Sequence, residues 1–210
     1  MERVLDTLEA DEHAPTTVRD RDSAERTHVA DSLVALQLGC VREARRIADM
    51  GSGAGFPGLV IAIALPEAHV VLLESQRRKC DFLMRTSLAA EIENVTVVCS
   101  RAEDWREGTG ACDLVVARAL GPQPVVLEYA APLLALGGHL VDWRGARNPA
   151  DEAAADRAAA DLGLARGEIV AVTPFPEARN RHLHVFAKVG ETPERFPRRA
   201  GVAAKRPLGT

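Results

Sequence analysis

The chain of 210 residues lacks the features that mark secreted, metal-binding and membrane proteins. Its four cysteines, at positions 40, 80, 99 and 112, form neither a C-x-x-C motif nor a paired Cys/His spacing. We therefore expect free thiols, a reducing compartment and no metal site. No apolar run approaches the length of a membrane span, and the polar start of the chain does not resemble a signal peptide. These absences together predict a cytoplasmic protein that does not use a membrane.

Aromatic residues make up only 4% of the chain, but its hydrophobic content of 47% is enough for a sizeable core. The length predicts one main domain at 46–190, with a helical extension at 1–45 and an extended basic tail at 191–210. The net charge is −4, yet the tail holds five basic residues against two acidic ones. An acidic body with a basic end indicates a polyanionic partner.

The most informative stretch runs from Ile47 to Gly58, where a short apolar segment is followed by four glycines within eight residues. The pattern predicts a strand, a glycine-rich turn and a helix. Glycines let the backbone approach a ligand closely, and the helix that follows points its free N–H groups at that ligand. Gly51, Gly53 and Gly55 are therefore candidate cofactor contacts.

Asp49, at the end of the strand, separates two classes of cofactor. A dinucleotide site seats a pyrophosphate beside this turn, and a carboxylate is unfavourable there. It suits a cofactor with a cationic or hydrogen-bond-donating head. The pattern Asp-x-Gly-x-Gly-x-Gly resembles motif I of the S-adenosylmethionine (SAM) methyltransferases, whose cofactor carries an ammonium and a sulfonium. A tight turn without a ligand is the alternative, but four glycines and an acid exceed what a turn requires.

Strand and helix patterns alternate through 46–190 and end in two strands joined by a linker too short for a crossover helix. These last strands are predicted to form an antiparallel hairpin. We therefore predict an α/β fold with a seven-stranded, mostly parallel sheet and helices on both faces. Ligands of such sheets bind outside the carboxyl ends of the strands. Glu74 ends the second strand about 20 residues past the glycine turn, where nucleotide-binding domains place an acid for ribose hydroxyls.

Local signals predict some element boundaries. Ser23 is expected to cap a helix from Ala24 to about Leu38. Between the fourth and fifth strands, a helix is expected over 124–136, followed by a tight turn at Gly137-Gly138.

The strand ends carry no Ser/His/Asp or Cys/His nucleophilic set. Arg118-Ala119-Leu120-Gly121 follows the fourth strand, where methyltransferases of exocyclic base amines carry Asn/Asp-Pro-Pro-aromatic and pyrimidine C5 enzymes need a cysteine. The absence of a base favours an acceptor atom that loses no proton, such as guanine N7, for which orientation and charge management are required. Sulfur and small-molecule acceptors fit this observation equally well.

Several stretches together resemble one family, ribosomal RNA small subunit methyltransferase G, also called glucose-inhibited division protein B. In chain order they are Thr16-Thr17-Val18-Arg19-Asp20, His28-x-x-Asp31-Ser32, the stretch from Asp49 to Gly58, Leu73-Glu74-Ser75, Ser100-Arg101-Ala102-Glu103, Ala117-Arg118-Ala119 and Arg181-His182-Leu183. The tail adds Phe196-Pro197-Arg198-Arg199-Ala200-Gly201 and Lys205-Arg206-Pro207-Leu208, and departs from the family at Val202-Ala203-Ala204 between them. The ending Phe56-Pro57-Gly58, with His-x-x-Asp-Ser upstream, is much more specific than motif I alone. One departure is Arg144-Gly145, where the family usually has Lys-Gly; Arg keeps the charge but is planar.

The resemblance implies a Rossmann-like class I SAM-dependent methyltransferase that acts, as a monomer, on guanine N7 in 16S rRNA or the small ribosomal subunit. Its cofactor would be S-adenosyl-L-methionine. The implied cofactor contacts are Gly51, Phe56, Ala102, Glu103 and Arg118, with Glu74 at the ribose. His28 and Asp31 would pack over the site and, with Arg118, position the substrate without a general base. The predicted substrate-binding cations are Arg144, Arg181, Arg198, Arg199 and Lys205, the last three in a tail that contacts RNA phosphates.

Other functions stay open at this point. A class I methyltransferase for a small molecule would not depend on RNA, and a SAM-binding or RNA-binding module would show no turnover. An NAD-binding dehydrogenase is disfavoured by the position of Asp49 and by the absence of residues for hydride chemistry.

Overall fold

Seven strands of the computed structural model, which describes residues 1–209, form one sheet. They are β1 Arg46–Met50, β2 His69–Glu74, β3 Val95–Cys99, β4 Cys112–Arg118, β5 Leu134–Arg144, β6 Leu164–Val172 and β7 Arg181–Lys188. Their spatial order is β3-β2-β1-β4-β5-β7-β6. The first five run parallel, and β7 is antiparallel to both β5 and β6. The predicted sheet and its terminal hairpin are confirmed.

Helices cover both faces of this sheet. They are α1 Glu2–Ala10, α2 Arg21–Ala24, α3 Asp31–Leu33, α4 Gly39–Arg42, α5 Gly58–Ala64, α6 Arg77–Ala89, α7 Gln123–Ala130, α8 Pro149–Asp161 and α9 Val202–Lys205. The neighbouring β1 residues Ile47 and Ala48 belong to two different apolar clusters. Successive side chains of a strand point to opposite faces, so the sheet has a core on each side. Within residues 1–209, no helix is both long and apolar enough to cross a membrane.

The helical stretch between Arg21 and Gln37 changes type along its length. A π-helical turn, Glu25–Ala30, separates α2 from α3, and a 3₁₀ turn, Val34–Gln37, follows α3. The predicted cap at Ser23 is wrong, because Asp20 Oδ1 accepts the Ser23 N–H at 3.0 Å and caps the stretch instead. π-Helical turns are frequent at functional sites, and this one carries His28.

The fifth strand begins earlier than predicted. α7 ends at Ala130 and β5 begins at Leu134, so the predicted helix over 124–136 is too long. Gly137 and Gly138 lie inside β5, where its pairing with β4 shifts register. Gly137 has a φ of 80°, and a Cβ on Gly138 would meet three backbone oxygens at 2.9–3.0 Å. The two glycines therefore form an irregularity within the strand, not a turn before it.

The carboxy-terminal residues fold back onto the domain. The expectation of an extended tail at 191–210 is wrong for the described part of it, which contains α9. Phe196 and Ala203 are buried, with exposed fractions of 8% and 2%. The sequence did not predict this packing, because the segment has too few apolar residues to show the periodicity of a helix or a strand. Residue 210 lies outside the described residues.

Candidate active site

The topology brings the predicted site residues to one edge of the sheet. β1, β2, β4 and β5 are parallel, so Met50, Glu74, Arg118 and Arg144 end their strands on the same side. β7 runs in the opposite direction, and its first residue, Arg181, begins at that edge. These five residues therefore lie at one edge of the sheet, which is where ligands of open α/β sheets bind.

The glycine turn after β1 is tied to the acid that ends β2. Gly51 and Gly53 have φ angles of 73° and 56°, a conformation that glycine adopts without strain. The Gly53 N–H donates to Glu74 Oε2 at 3.2 Å, and the Gln76 N–H donates to Oε1 at 2.9 Å. A carboxylate has about four acceptor positions, so Glu74 keeps capacity for further donors such as ribose hydroxyls.

Asp49 links the end of β1 to the start of α5. It is 1% exposed, and its Oδ2 accepts the N–H of Gly58, the first residue of α5, at 3.0 Å. Burial, partly offset by this hydrogen bond, raises the pKa of Asp49 to about 6. Asp49 therefore holds the turn against the start of α5 and does not line the cofactor cavity described below. The sequence placed the carboxylate at the strand end correctly but did not show which way it points.

Gly55 and Phe56 also serve the packing of the turn. A Cβ on Gly55 would lie 2.3 Å from Leu59 Cδ1, so the absence of a side chain lets the turn contact α5. Phe56 is 4% exposed, and its ring stacks on His28 with centroids 4.7 Å apart and an interplanar angle of 16°. Neither residue lines the cofactor cavity. Both residues support the turn and His28 in this structure, and their contact with the cofactor stays a prediction.

A cavity of about 290 Å³ lies over the glycine turn. It is lined by Met50, Gly51, Leu73, Glu74, Ser75, Gln76, Lys79, Ser100, Arg101, Ala102, Glu103, Ala119, Leu120 and Tyr129. Of the predicted cofactor residues, Gly51, Glu74, Ala102 and Glu103 are among them. Tyr129 was missed, because it lies in α7 and nothing in its sequence context points to a ligand. Burial, followed by the nearby Glu103 carboxylate, raises the pKa of Tyr129 to about 12, so the phenol keeps its proton.

A second cavity, of about 450 Å³, lies beside the first. Its lining residues are Thr27, His28, Asp31, Arg118, Ala119, Trp143, Arg144, Gly145 and Arg181. Ala119 lines both cavities and has a φ of 55°, a strained value for a residue other than glycine. Such strain is often found at active sites. The two cavities meet at this residue, at the end of β4.

Arg118 joins the helical extension to the sheet. Its Nη1 donates to Asp31 Oδ2 at 3.0 Å and to the Thr27 carbonyl oxygen at 3.2 Å. The two charged side chains are only 17% and 8% exposed, so water screens their interaction weakly. The π-helical turn brings Thr27 and His28 toward the end of β4. The predicted grouping of His28, Asp31 and Arg118 is thus observed, and the three residues fix one another.

The His28 imidazole is held on both of its nitrogens. Arg118 Nη2 lies 3.3 Å from Nδ1, and Thr16 Oγ1 lies 3.0 Å from Nε2. Burial first, and then the positive charge of Arg118, lower the pKa of His28 to about 4. The ring is therefore neutral at physiological pH, with Nδ1 accepting from Arg118 and Nε2–H donating to Thr16. No nitrogen of His28 is left to remove a proton from a substrate.

Two further arginines line the second cavity. Arg144 Nη1 donates to the Gly121 carbonyl oxygen at 2.7 Å, and Arg181 Nε lies 3.8 Å from Asp31 Oδ1. Trp143 Nε1–H donates to the Asp31 carbonyl oxygen at 2.9 Å, which fixes α3 against β5. The sequence predicted both arginines here but not Trp143, although it precedes Arg144 at the end of the strand.

A family model for rRNA small subunit methyltransferase G matches residues 9–183 of the chain. The chain belongs to this family. A relative of that name from Rubrobacter xylanophilus is 40% identical over 196 residues, which cover 90% of this chain and 75% of the relative. Another, from Synechococcus elongatus, is 40% identical over 200 residues, covering 91% and 81%. A SAM-dependent methyltransferase structure from Aquifex aeolicus matches with a TM-score of 0.62 at 16% identity, over 81% of this chain and 95% of that one, and shows the shared fold alone.

The predicted family and the predicted class I methyltransferase fold are confirmed. As a family member with this fold, the chain is a methyltransferase that uses SAM. Its first cavity fits that cofactor, since it combines a buried acid, Glu74, with the apolar walls Met50, Leu73 and Leu120.

Of the predicted RNA-binding cations in the carboxy-terminal segment, one is paired within the protein and two are exposed. Arg198 donates from Nε and Nη2 to the buried Glu128, at distances of 2.9 and 2.5 Å. Its guanidinium is held by the protein, which does not favour the predicted contact of Arg198 with RNA. Arg199 and Lys205 are exposed, and their contact with RNA stays a prediction.

Proposed function

We propose that this protein transfers a methyl group from SAM to N7 of a guanine in 16S rRNA. The observation that carries the proposal is the second cavity, which is cationic, shares Ala119 with the cofactor cavity and holds a histidine with both ring nitrogens engaged. The cofactor supplies a methyl group on a positively charged sulfur. The names of the relatives support RNA of the small ribosomal subunit as the acceptor.

The residues of the second cavity favour an acceptor atom that needs no deprotonation. Both nitrogens of His28 are engaged, and Asp31 Oδ2 is paired with Arg118. Guanine N7 is a hydrogen-bond acceptor with a free lone pair and no proton. A pocket built from mutually fixed side chains can orient such a base for in-line attack without acid–base chemistry.

Asp31 also suits the charge change of this reaction. Its Oδ1 is buried without a hydrogen-bond partner, and Arg181 Nε is 3.8 Å away. Guanine carries N–H donors on the edge away from N7, and methylation at N7 makes the purine positive. A carboxylate oxygen with spare capacity therefore complements both the donors of the base and its developing charge.

Basic residues of the second cavity and of the carboxy-terminal segment fit an RNA backbone. Arg144 and Arg181 line the cavity, and the exposed Arg199 and Lys205 lie on the carboxy-terminal segment. Contacts of Lys and Arg with phosphates give affinity without sequence preference and position the nucleic acid. In this proposal these four cations hold the strand, while Asp31 and Arg118 hold the pocket.

The acceptor class is tested with labelled SAM and three acceptors: small ribosomal subunits lacking the modification, their purified 16S rRNA, and a mixture of small metabolites. We expect label in RNA from at least one of the first two samples. Arg181→Ala should lower the salt dependence of RNA binding, whereas Arg3→Ala, which removes an exposed arginine paired with Glu91, should not. Label in a metabolite alone, or SAM binding without turnover, would contradict the proposal.

A further inference from the structure

The carboxy-terminal residues 196–209, here named the strap, lie against the wall of the cofactor cavity. Phe196 belongs to the same apolar cluster against which Ala102, Trp105, Tyr129 and Leu208 pack. Ala102 and Tyr129 also line the cofactor cavity. The strap thus packs in the same apolar cluster as this wall and helps to support it. Its first residue, Phe196, is the last residue of a turn that begins at Pro193.

An ion pair between Arg198 and the buried Glu128 fixes the strap to α7. Glu128 is 0% exposed and accepts from the Arg198 backbone N–H at 3.1 Å as well as from the guanidinium. The same guanidinium donates to the Arg206 carbonyl oxygen at 2.8 Å, which closes the strap on itself. The desolvation of a buried pair offsets most of its attraction, so such pairs are weak evidence for stability. This pair instead fixes the position of the strap relative to α7. Glu128 immediately precedes Tyr129, which lines the cofactor cavity.

The strap also contacts one residue of the cofactor cavity directly. The Gly201 N–H donates to Glu103 Oε1 at 3.2 Å. Gly201 has a φ of 79°, a left-handed conformation that glycine adopts freely, and it precedes the short helix α9. Glu103 and Tyr129 interact through their side chains. The hydrogen bond therefore reaches one residue of the cavity wall, Glu103, and the ion pair fixes Glu128, the chain neighbour of another, Tyr129.

We propose that the strap positions the cofactor-binding wall formed by Ala102, Glu103 and Tyr129, with Arg198 and Glu128 as positioning residues for SAM binding. The inference rests on the cofactor of the proposed function and is independent of the acceptor. A strap with this role affects SAM binding, whereas a tail that only contacts RNA would not. Loss of the Arg198–Glu128 pair weakens SAM binding, and by reciprocity SAM binding stabilises the strap.

The first test measures SAM affinity by calorimetry for Arg198→Ala and for the matched variant Arg206→Ala. Arg206 lies in the same segment with an exposed side chain, and its backbone carbonyl is retained. We expect SAM to bind about tenfold more weakly to Arg198→Ala, which lies within the roughly 5–150-fold range of coupling between two linked sites. Arg206→Ala should stay within about twofold of the wild type. Arg198→Lys, which keeps the charge, should recover part of the affinity.

The second test needs no variant and covers the case in which Arg198→Ala fails to fold. Amide hydrogen exchange is followed with and without saturating SAM. The amides of Arg198 and Gly201 should exchange more slowly with SAM, by a larger factor than the amides of β6 at the far edge of the sheet. Equal protection in both regions, or equal SAM affinity of the two alanine variants, would overturn the role of the strap. A wild-type protein that does not bind SAM would refute the cofactor instead.

Discussion

Asp31→Asn removes one negative charge from the centre of the second cavity while keeping the shape of the side chain. Asp31 accepts from Arg118 at 3.0 Å and has Arg181 at 3.8 Å, so the substitution leaves two arginines facing a neutral amide. Since the side chains of Asp31 and Arg118 are 8% and 17% exposed, little of this interaction is screened by water. A hydrogen bond between charged groups contributes about 2 kcal/mol. In a protein of this size such a loss lowers the Tm by roughly 4–8 °C.

The effect on catalysis should be larger than the effect on cofactor binding. Arg118 would lose the contact that orients it, and a displacement of about 1 Å in an active site lowers kcat by roughly 100-fold. Asp31 does not line the cofactor cavity, so calorimetric SAM affinity should change by less than about twofold. Asp81→Asn is the matched control, because Asp81 pairs with Arg77 at 3.1 Å on an exposed surface. Its effect should be below about 1 kcal/mol. A wild-type Tm and kcat for Asp31→Asn would refute this account of the cavity.

Two further predictions concern the turn and the histidine beside it. Gly58→Ala would place a Cβ 2.4 Å from Leu72 Cδ2 and 2.6 Å from Asp49 Oδ2, so it should lower the free energy of unfolding by about 1–3 kcal/mol. Gly39→Ala, with its nearest atom at 3.7 Å, is the control, and equal urea midpoints for the two variants would contradict the packing. His28, followed by NMR, should titrate with a pKa of about 4. That pKa lies below the value near 6.5 that His28 has in the unfolded chain. His28 therefore contributes stability above pH 6.5, and this contribution is lost as the pH falls toward 4. An NMR titration midpoint near 6.5 would show that the ring is not buried as described.

The sheet and its ligand-binding edge were predictable because they depend on alternating patterns along the chain. Apolar strands that end in Asp49, Glu74 and Arg118 are local signals, and parallel topology brings their ends together without further information. The directions of the side chains are not local. Asp49 points back to the N–H of Gly58, and Phe56 packs under His28, since these orientations depend on partners that only the folded chain provides.

The carboxy-terminal segment shows the same limit more strongly. Its charges were visible in the sequence, but a solvent-exposed arginine and one paired with a buried acid look alike there. Arg198 finds its partner, Glu128, 70 positions earlier in the chain. Tyr129 likewise joins the cofactor cavity through the packing of α7. Long-range pairing of this kind leaves no spacing or period in the sequence.

The identity of the methylated atom tests the central claim most directly. Small-subunit RNA labelled with SAM by the purified protein is digested to nucleosides, and the labelled nucleoside is identified by mass spectrometry. A cavity whose His28 is engaged on both nitrogens and whose Asp31 is paired with Arg118 predicts 7-methylguanosine as the labelled product. Label on an exocyclic amine, a ribose hydroxyl or a pyrimidine C5 would mean that a side chain of the cavity acts as a base or a nucleophile, and would contradict the account.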